Sequence, residues 1–391
     1  MPPRSSVPAA PGFVPPPYPH DRLLELRALA EAVPGGIVDC SVGTPVDPMP
    51  DVARRALADA AAEATGYPAA IGAPAYRRAA AAWIERRFGV DVAPEAVVAC
   101  IGTKELVASL PRLLALRDPS RDTVLYPGVA YPTYEMGARL AGLRAVPVPL
   151  DDQWLPDLSH VTEADAERAL LLWLNEPGNP TGSSGGARHL RSVAEWARRY
   201  GVIVASDECY AEFTYDEAGE PTEPATVLAT GLARALAVHS LSKRSNMAGL
   251  RAGFVAGDPE LVGYLGEVRK HAGLMTPTPV QAAATAALAD DTHVDEQRDR
   301  YARRRADALE AFGAWGLVHD GGPSTFYLWL RAADGGEDGW AIARRLAEHG
   351  LLVAAGDLYG PGGAEHVRLS LTQTDERLAL AFERLASKER V

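Results

Sequence analysis

Residues 169–182 read ALLLWLNEPGNPTG: six apolar residues stop at Asn175 and pass into a turn with two prolines and two glycines. An apolar run this short and this complete reads as a strand buried on both faces, the kind found inside a parallel sheet. On either side of it, similar runs stand at 97–101 (VVACI), 123–126 (TVLY), 145–148 (AVPV), 202–206 (VIVAS), 235–239 (ALAVH) and 252–256 (AGFVA). Amphipathic segments such as 187–200 separate some of them. Seven such runs alternating with helices predict an α/β fold, a mostly parallel seven-stranded sheet with helices on both faces.

The pattern changes after about residue 290. A long charged helix is expected over 293–312, then strand-like 325–330, a helix at 339–349, strand-like 351–354 and 366–371, and a last helix at 374–388. This reads as a smaller α+β domain. Near the start, a helical pattern runs from Asp21 to about Glu31, and Pro34-Gly35-Gly36 stops it. Helices are expected at 51–64 and 74–88, with Tyr67, Pro68 and Gly72 in the loop between them. The proline-rich residues 1–19 read as an extended arm, either a disordered tail or a segment packed on a partner. The expected division is 1–45 for the arm and the start of the small domain, 46–288 for the large domain, and 289–391 for the rest of the small one.

At 391 residues, the chain is long enough for two domains with a sizeable core. Its 47% hydrophobic and 23% charged residues are ordinary for a globular protein. A net charge of −12 argues against nucleic-acid or anionic-membrane binding through the overall field. Cys40, Cys100 and Cys209 are too few and too widely spaced for a disulfide framework or a zinc site, so a reduced, cytoplasmic setting is expected. The histidines show no metal-binding spacing, and no metal is expected. The N-terminus lacks the apolar run of a signal peptide, and no stretch approaches a membrane span.

In a parallel α/β sheet, ligands bind beyond the carboxyl ends of the strands. After 97–101 comes Gly102-Thr103-Lys104, opening a helix. After 169–174 come Asn175 and the turn to Gly182. After 202–206 come Asp207-Glu208-Cys209-Tyr210, and after 235–239 come Ser240-Leu241-Ser242-Lys243. Each element alone has a bland reading: a turn, a helix cap, a surface lysine. Together they deliver a phosphate-type turn, an amide, a carboxylate with a phenol, and a hydroxyl with an amine to one crevice.

NEPGNPTG at 175–182, DECY at 207–210 and SLSKRSNMAGLRAGF at 240–254 resemble the class I/II, fold-type I aminotransferases, over about Asp39 to Leu385. The resemblance implies pyridoxal 5'-phosphate as cofactor, held as a Schiff base by Lys243. That lysine would also move the proton at the substrate Cα. Asp207 is placed like the carboxylate that pairs with the ring nitrogen, and Asn179 and Tyr210 like the donors to the ring's phenolic oxygen. Tyr131 resembles the aromatic that stacks on the ring. The Gly102 and Thr103 amides, with Ser240, Ser242, Arg251 and the neighbouring Lys104, resemble the phosphate site. Tyr67 resembles the tyrosine that reaches the other subunit's phosphate, which implies a homodimer with shared sites. Arg368 resembles the arginine that grips the substrate α-carboxylate, and Gly43 the glycine that lets backbone approach the substrate.

The stretches around Gly102-Thr103-Lys104-Glu105-Leu106, YPTYEMGARLAGL at 131–143 and SKRSNMAGLRAGF at 242–254 are most similar to actinobacterial N-succinyl-L,L-diaminopimelate aminotransferases. The resemblance implies glutamate and 2-oxoglutarate as the other pair, in lysine and cell-wall precursor synthesis. Aromatic or prephenate transfer, a specialised substrate and a β-lyase are the alternatives on the same scaffold. A non-catalytic regulator would carry a DNA-binding segment, and only about 40 residues precede the family region. A distal carboxylate calls for a further cation, with Arg22, Arg77 and Arg244 as candidates by composition.

Overall fold

The computed structural model describes residues 13–387, so the first twelve residues of the proline-rich arm lie outside the described part. The strands in chain order are β1 Val38–Asp39, β2 Val97–Ile101, β3 Thr123–Pro127, β4 Arg144–Val148, β5 Ala169–Asn175, β6 Ile203–Asp207, β7 Ala235–Ser240, β8 Ala252–Gly257, β9 Leu317–His319, β10 Tyr327–Ala332, β11 Leu351–Leu352, β12 Ala354–Ala355 and β13 His366–Ser370. All seven expected runs form one sheet in the order β2-β8-β7-β6-β5-β3-β4. It is parallel except for β8, which runs against both β2 and β7.

The two faces of this sheet follow from the period of 2 along each strand. In β5, Leu172 and Leu174 pack into one apolar cluster, while Leu171 and Trp173 pack into the other. Helices close both sides. In the helix Gly186–Tyr200, Leu190, Val193, Ala194 and Ala197 are buried at the 3–4 spacing of a single face. Gly201, at φ +66°, stops that helix in the left-handed conformation that favours glycine. No helix of the described residues is long and apolar enough to cross a membrane.

Strand polarity fixes where the functional segments meet. Asn175 of β5 pairs with Asp207 of β6, so both strands end at the same level. The antiparallel β8 starts where β7 ends, with Ala252 opposite Ile101 and Gly253 opposite Ser240. Arg251, the residue leading into β8, therefore arrives at the carboxyl edge with Gly102 and Ser240.

A second sheet, ordered β12-β13-β10-β9, carries Arg368 in the middle of β13 between Trp329 and Ala354. The run expected as one strand over 351–354 is split at Val353. Its first half pairs parallel with β1 and its second half antiparallel with β13. The chain's beginning is thus built into the apolar cluster of its end, where Leu23, Leu26 and Val38 pack with Leu351, Val367 and Leu385.

The helix start at Thr103 is anchored by a charged pair. Arg269, fully buried, donates two hydrogen bonds to Glu105, at 2.9 and 2.8 Å. Removing one partner strands the other's charge. Glu105→Ala is expected to cost on the order of 3 kcal/mol in urea unfolding. The double change Glu105→Leu, Arg269→Met should recover most of that loss. A recovery of none would show that the pair stabilises by more than mutual neutralisation.

Candidate active site

The four strand ends meet at a cavity of about 550 Å³. Every site residue implied by the resemblance lines it except Gly102, next to Thr103 in the chain, and Tyr67. Lys243, in the short helix that follows β7, stands at its floor, and its Nζ donates to the Gly43 carbonyl. Burial lowers the lysine's pKa. The Tyr327 phenol and Cys209 thiol oppose that shift, while Arg368 and Arg251 add to it.

Asp207 at the end of β6 is only 6% exposed. It accepts from the Tyr134 hydroxyl at 2.9 Å and from the Cys209 N–H at 3.3 Å. Burial pushes its pKa up, against those donors and the Lys243 charge. The same low-dielectric floor therefore disfavours the charged form of both groups.

One end of the cavity is built for an anion. Gly102, at φ +68°, caps the helix Thr103–Arg117, whose first N–H groups have no partner within the helix. A Cβ on Gly102 would be strained at this φ and would displace the Arg251 guanidinium, so glycine is what lets these two donors converge. Arg251 donates to the Ala248 carbonyl at 2.9 Å and has no carboxylate partner among the described residues. The hydroxyls of Ser240 and Ser242 line the same end, with Ser240 Oγ accepting from the Ser242 N–H at 3.1 Å.

On the opposite side lies Arg368, 4% exposed. It donates to Asn179 Oδ1 at 2.9 Å and to the Ser41 carbonyl at 2.6 Å. Its carbon lies 4.2 Å from the Tyr327 ring centre and 4.9 Å from that of Tyr359. Its Nε has no partner, and no carboxylate neutralises it among the described residues. The Tyr327 hydroxyl is also 3.1 Å from that of Tyr210. Gly43 packs so closely on Tyr327 that any Cβ would overlap the phenol.

At the mouth, Lys104 donates to the Tyr18 hydroxyl at 3.2 Å and lies 6.0 Å from the Tyr131 ring centre. Partial burial lowers its pKa, but Tyr131 and Tyr18 more than offset that, so the net shift is upward. It forms no ion pair among the described residues.

None of the three arginines considered for a distal carboxylate lines the cavity, because each is already engaged. Arg77 donates to the Pro94 and Val97 carbonyls. Arg244 is buried against Glu212 and Asp291, and Arg22 pairs with Asp357. Tyr67 is 96% exposed, away from its own chain's cavity. The sequence reading missed Tyr134, Tyr327, Tyr18 and His20. Tyr134 lies in the first turn of the helix Thr133–Leu140 that directly follows Tyr131, so its closeness to that residue was its one local signal. The others reach the cavity only through tertiary packing.

The family model for aminotransferase class I and II matches residues 36–385. A probable aminotransferase of Mycobacterium tuberculosis is 50% identical over 95% of this chain and 85% of its own. The 4-dedimethylamino-4-oxo-anhydrotetracycline transaminase OxyQ of Streptomyces rimosus is 46% identical over 95% of this chain and 99% of its own. An LL-diaminopimelate aminotransferase of Aquifex aeolicus is 36% identical over 89% and 90%.

Gly43→Ala tests the close packing on Tyr327. The added methyl must push the phenol off both Arg368 and Tyr210. Carboxylate affinity, followed by ligand titration, should fall roughly tenfold or more. The unfolding midpoint should move little, because the cavity side is free to yield. Unchanged affinity would show that Tyr327 does not hold Arg368 in place.

Proposed function

The chain belongs to the class I and II aminotransferases, and on that footing we propose that it exchanges an amino group between glutamate/2-oxoglutarate and N-succinyl-L,L-diaminopimelate. Enzymes of this family depend on pyridoxal 5'-phosphate and act on amino acids and 2-oxo acids.

The residues present fit that cofactor. Gly102, Thr103, Ser240, Ser242 and Arg251 form an anion cradle with an unpaired guanidinium, as a phosphate requires. Asp207, buried and fed by two donors, suits a protonated ring nitrogen. Asn179, whose Oδ1 is taken by Arg368, keeps its amide N–H groups for the phenolic oxygen, which Tyr210 would share. Tyr131 suits stacking on the ring. Once bound, the cofactor supplies the aldehyde that carries the amino group and a ring that accepts electrons from the substrate Cα.

In this reading, Lys243 takes the proton from the substrate Cα and later returns it. Burial suits it to that task by keeping the amine from charging too readily. Arg368 orients the substrate by its α-carboxylate, and Asn179 and the Tyr327–Tyr359 sandwich keep the guanidinium from turning. Gly43, whose missing Cβ makes room for Tyr327, lets the backbone come close to the substrate. The exposed Tyr67 is assigned to the cofactor phosphate of a partner subunit in a homodimer, which accounts for its absence from its own cavity.

With Arg251 assigned to the cofactor phosphate, the observation that carries the substrate reading is the two further cations without a carboxylate partner, Arg368 deep in the cavity and Lys104, which the resemblance set beside the phosphate site, at its mouth. A substrate with one carboxylate satisfies only the first. Glutamate and the succinylated diamine each offer a second. Two relatives favour other partners for the same site, free L,L-diaminopimelate and the oxo-anhydrotetracycline of OxyQ.

A spectral single-turnover panel separates these. Glutamate and N-succinyl-L,L-diaminopimelate should discharge the cofactor chromophore fast, and phenylalanine slowly. Lys104→Gln should raise the half-saturating concentration of the succinylated diamine roughly tenfold. Fast conversion of the free diamine with none of the succinylated one would replace the substrate named here.

A further inference from the structure

His20 reaches the cavity from the N-terminal segment, on the turn Pro19–Leu23, with its ring stacked 5.6 Å from that of Tyr18. It is half-buried and makes no side-chain hydrogen bond to another side chain among the described residues. The charged groups around it come from three other elements. Arg368 of β13 and Lys104 of the helix Thr103–Arg117 line the same cavity, and the Asp39 charge at the end of β1 and the Ser41 backbone also act on the ring. Asp39 is already engaged by Arg27 and by Ser41, so its charge is largely spent. Besides Arg251 at the anion end, the imidazole thus shares a cavity with two cations that no carboxylate neutralises among the described residues.

We propose that His20 is a substrate-positioning residue, which donates to a carboxylate of the bound substrate and takes up a proton when a dicarboxylate enters. This rests on the two-carboxylate reading above. In the free protein, burial lowers the pKa of His20. Arg368 and Lys104 lower it further, while Ser41 and Asp39 pull the other way. A dicarboxylate neutralises both cations and adds negative charge beside the ring, so the complex holds its proton to higher pH than the free protein does. Binding then tightens as pH falls from the value for the complex toward the value for the free protein. An imidazolium with two donors would bridge the α-carboxylate on Arg368 and the distal one on Lys104.

Glutarate serves as the probe on the holoenzyme. It carries two carboxylates, does not react, and is largely ionised at pH 6 and wholly so near pH 8, so its own titration works against the expected slope. Calorimetry in two buffers of different ionisation enthalpy counts the protons taken up. Wild type is expected to take up a fraction of a proton near pH 7, and to bind glutarate several-fold tighter at pH 6 than at pH 8. His20→Phe should lose that uptake and most of that slope. His20→Gln should keep affinity at pH 8 through its amide N–H, yet still lack the slope. The cofactor and Lys243 titrate in all three proteins, so the difference between them isolates His20. Equal uptake and equal slope in wild type and His20→Phe would overturn the proposal. If glutarate binds no better than butyrate, the two-carboxylate reading falls. Butyrate, which still neutralises Arg368, then decides the role of His20 by the same comparison.

Discussion

A buried guanidinium without a carboxylate partner is the constraint around which the cavity is organised. Taking an arginine out of water is costly, and a protein usually recovers that cost with a carboxylate. Arg368 is held instead by one amide oxygen, one backbone carbonyl and two aromatic faces. These partners position the group without cancelling its charge. They also come from four separate parts of the chain: Asn179 after β5, Ser41 after β1, Tyr327 on β10 and Tyr359 beyond β12. Fixing Arg368 therefore means fixing how the two sheets stand to each other. Tyr327 extends the constraint further, because its hydroxyl meets Tyr210 and its ring leaves no room for a Cβ on Gly43.

The large sheet solves a different problem. Its chemistry-bearing residues are polar or charged, and its central strands are mostly apolar until they reach them. In-register pairing of Asn175 with Asp207, and the reversal of β8, bring Asn175, Asp207, Ser240 and Arg251 to one carboxyl edge of the sheet. The cost of exposing or burying them is thereby confined to one rim. The glycines that matter do so by permitting close approach: Gly102 to Arg251 and Gly43 to Tyr327.

This division explains what could be read from sequence. The central strands of the large sheet were legible because full burial leaves a nearly unbroken apolar run, and because β5, β6 and β7 end in an abrupt change to polar residues. Asp207, Asn179, Lys243 and Ser240 stood out for that reason. Arg368 was legible only through resemblance, since an arginine in a strand has no local mark of its role. The break at Val353 was invisible, as two adjacent apolar dipeptides that serve different sheets look like one strand. Tyr327 and His20 were missed on the same ground. Tyr327 opens an unbroken apolar run along β10, which marks a buried strand and no role, and His20 lies in a segment whose only pattern was the start of a helix. Their placement depends on the return of the chain's beginning to its end, through the pairing of Val38 with Leu351.

The cavity thus combines opposed demands. Burial raises the pKa of Asp207 and lowers that of Lys243, so each is pushed toward its neutral form. Arg368 and Arg251 stay charged with no anion beside them among the described residues, and Lys104 stays charged at the mouth. A site in this condition is less stable than its own contacts would suggest. What relieves it is a ligand with a cationic nitrogen near Asp207, an anion near Arg251 and a carboxylate at Arg368. Such a ligand stabilises the fold by its differential affinity for the folded chain. The polar groups that impair the unliganded protein are therefore the ones that select cofactor and substrate. Because Arg368 and its partners draw on both sheets, filling the cavity also tightens the joint between them.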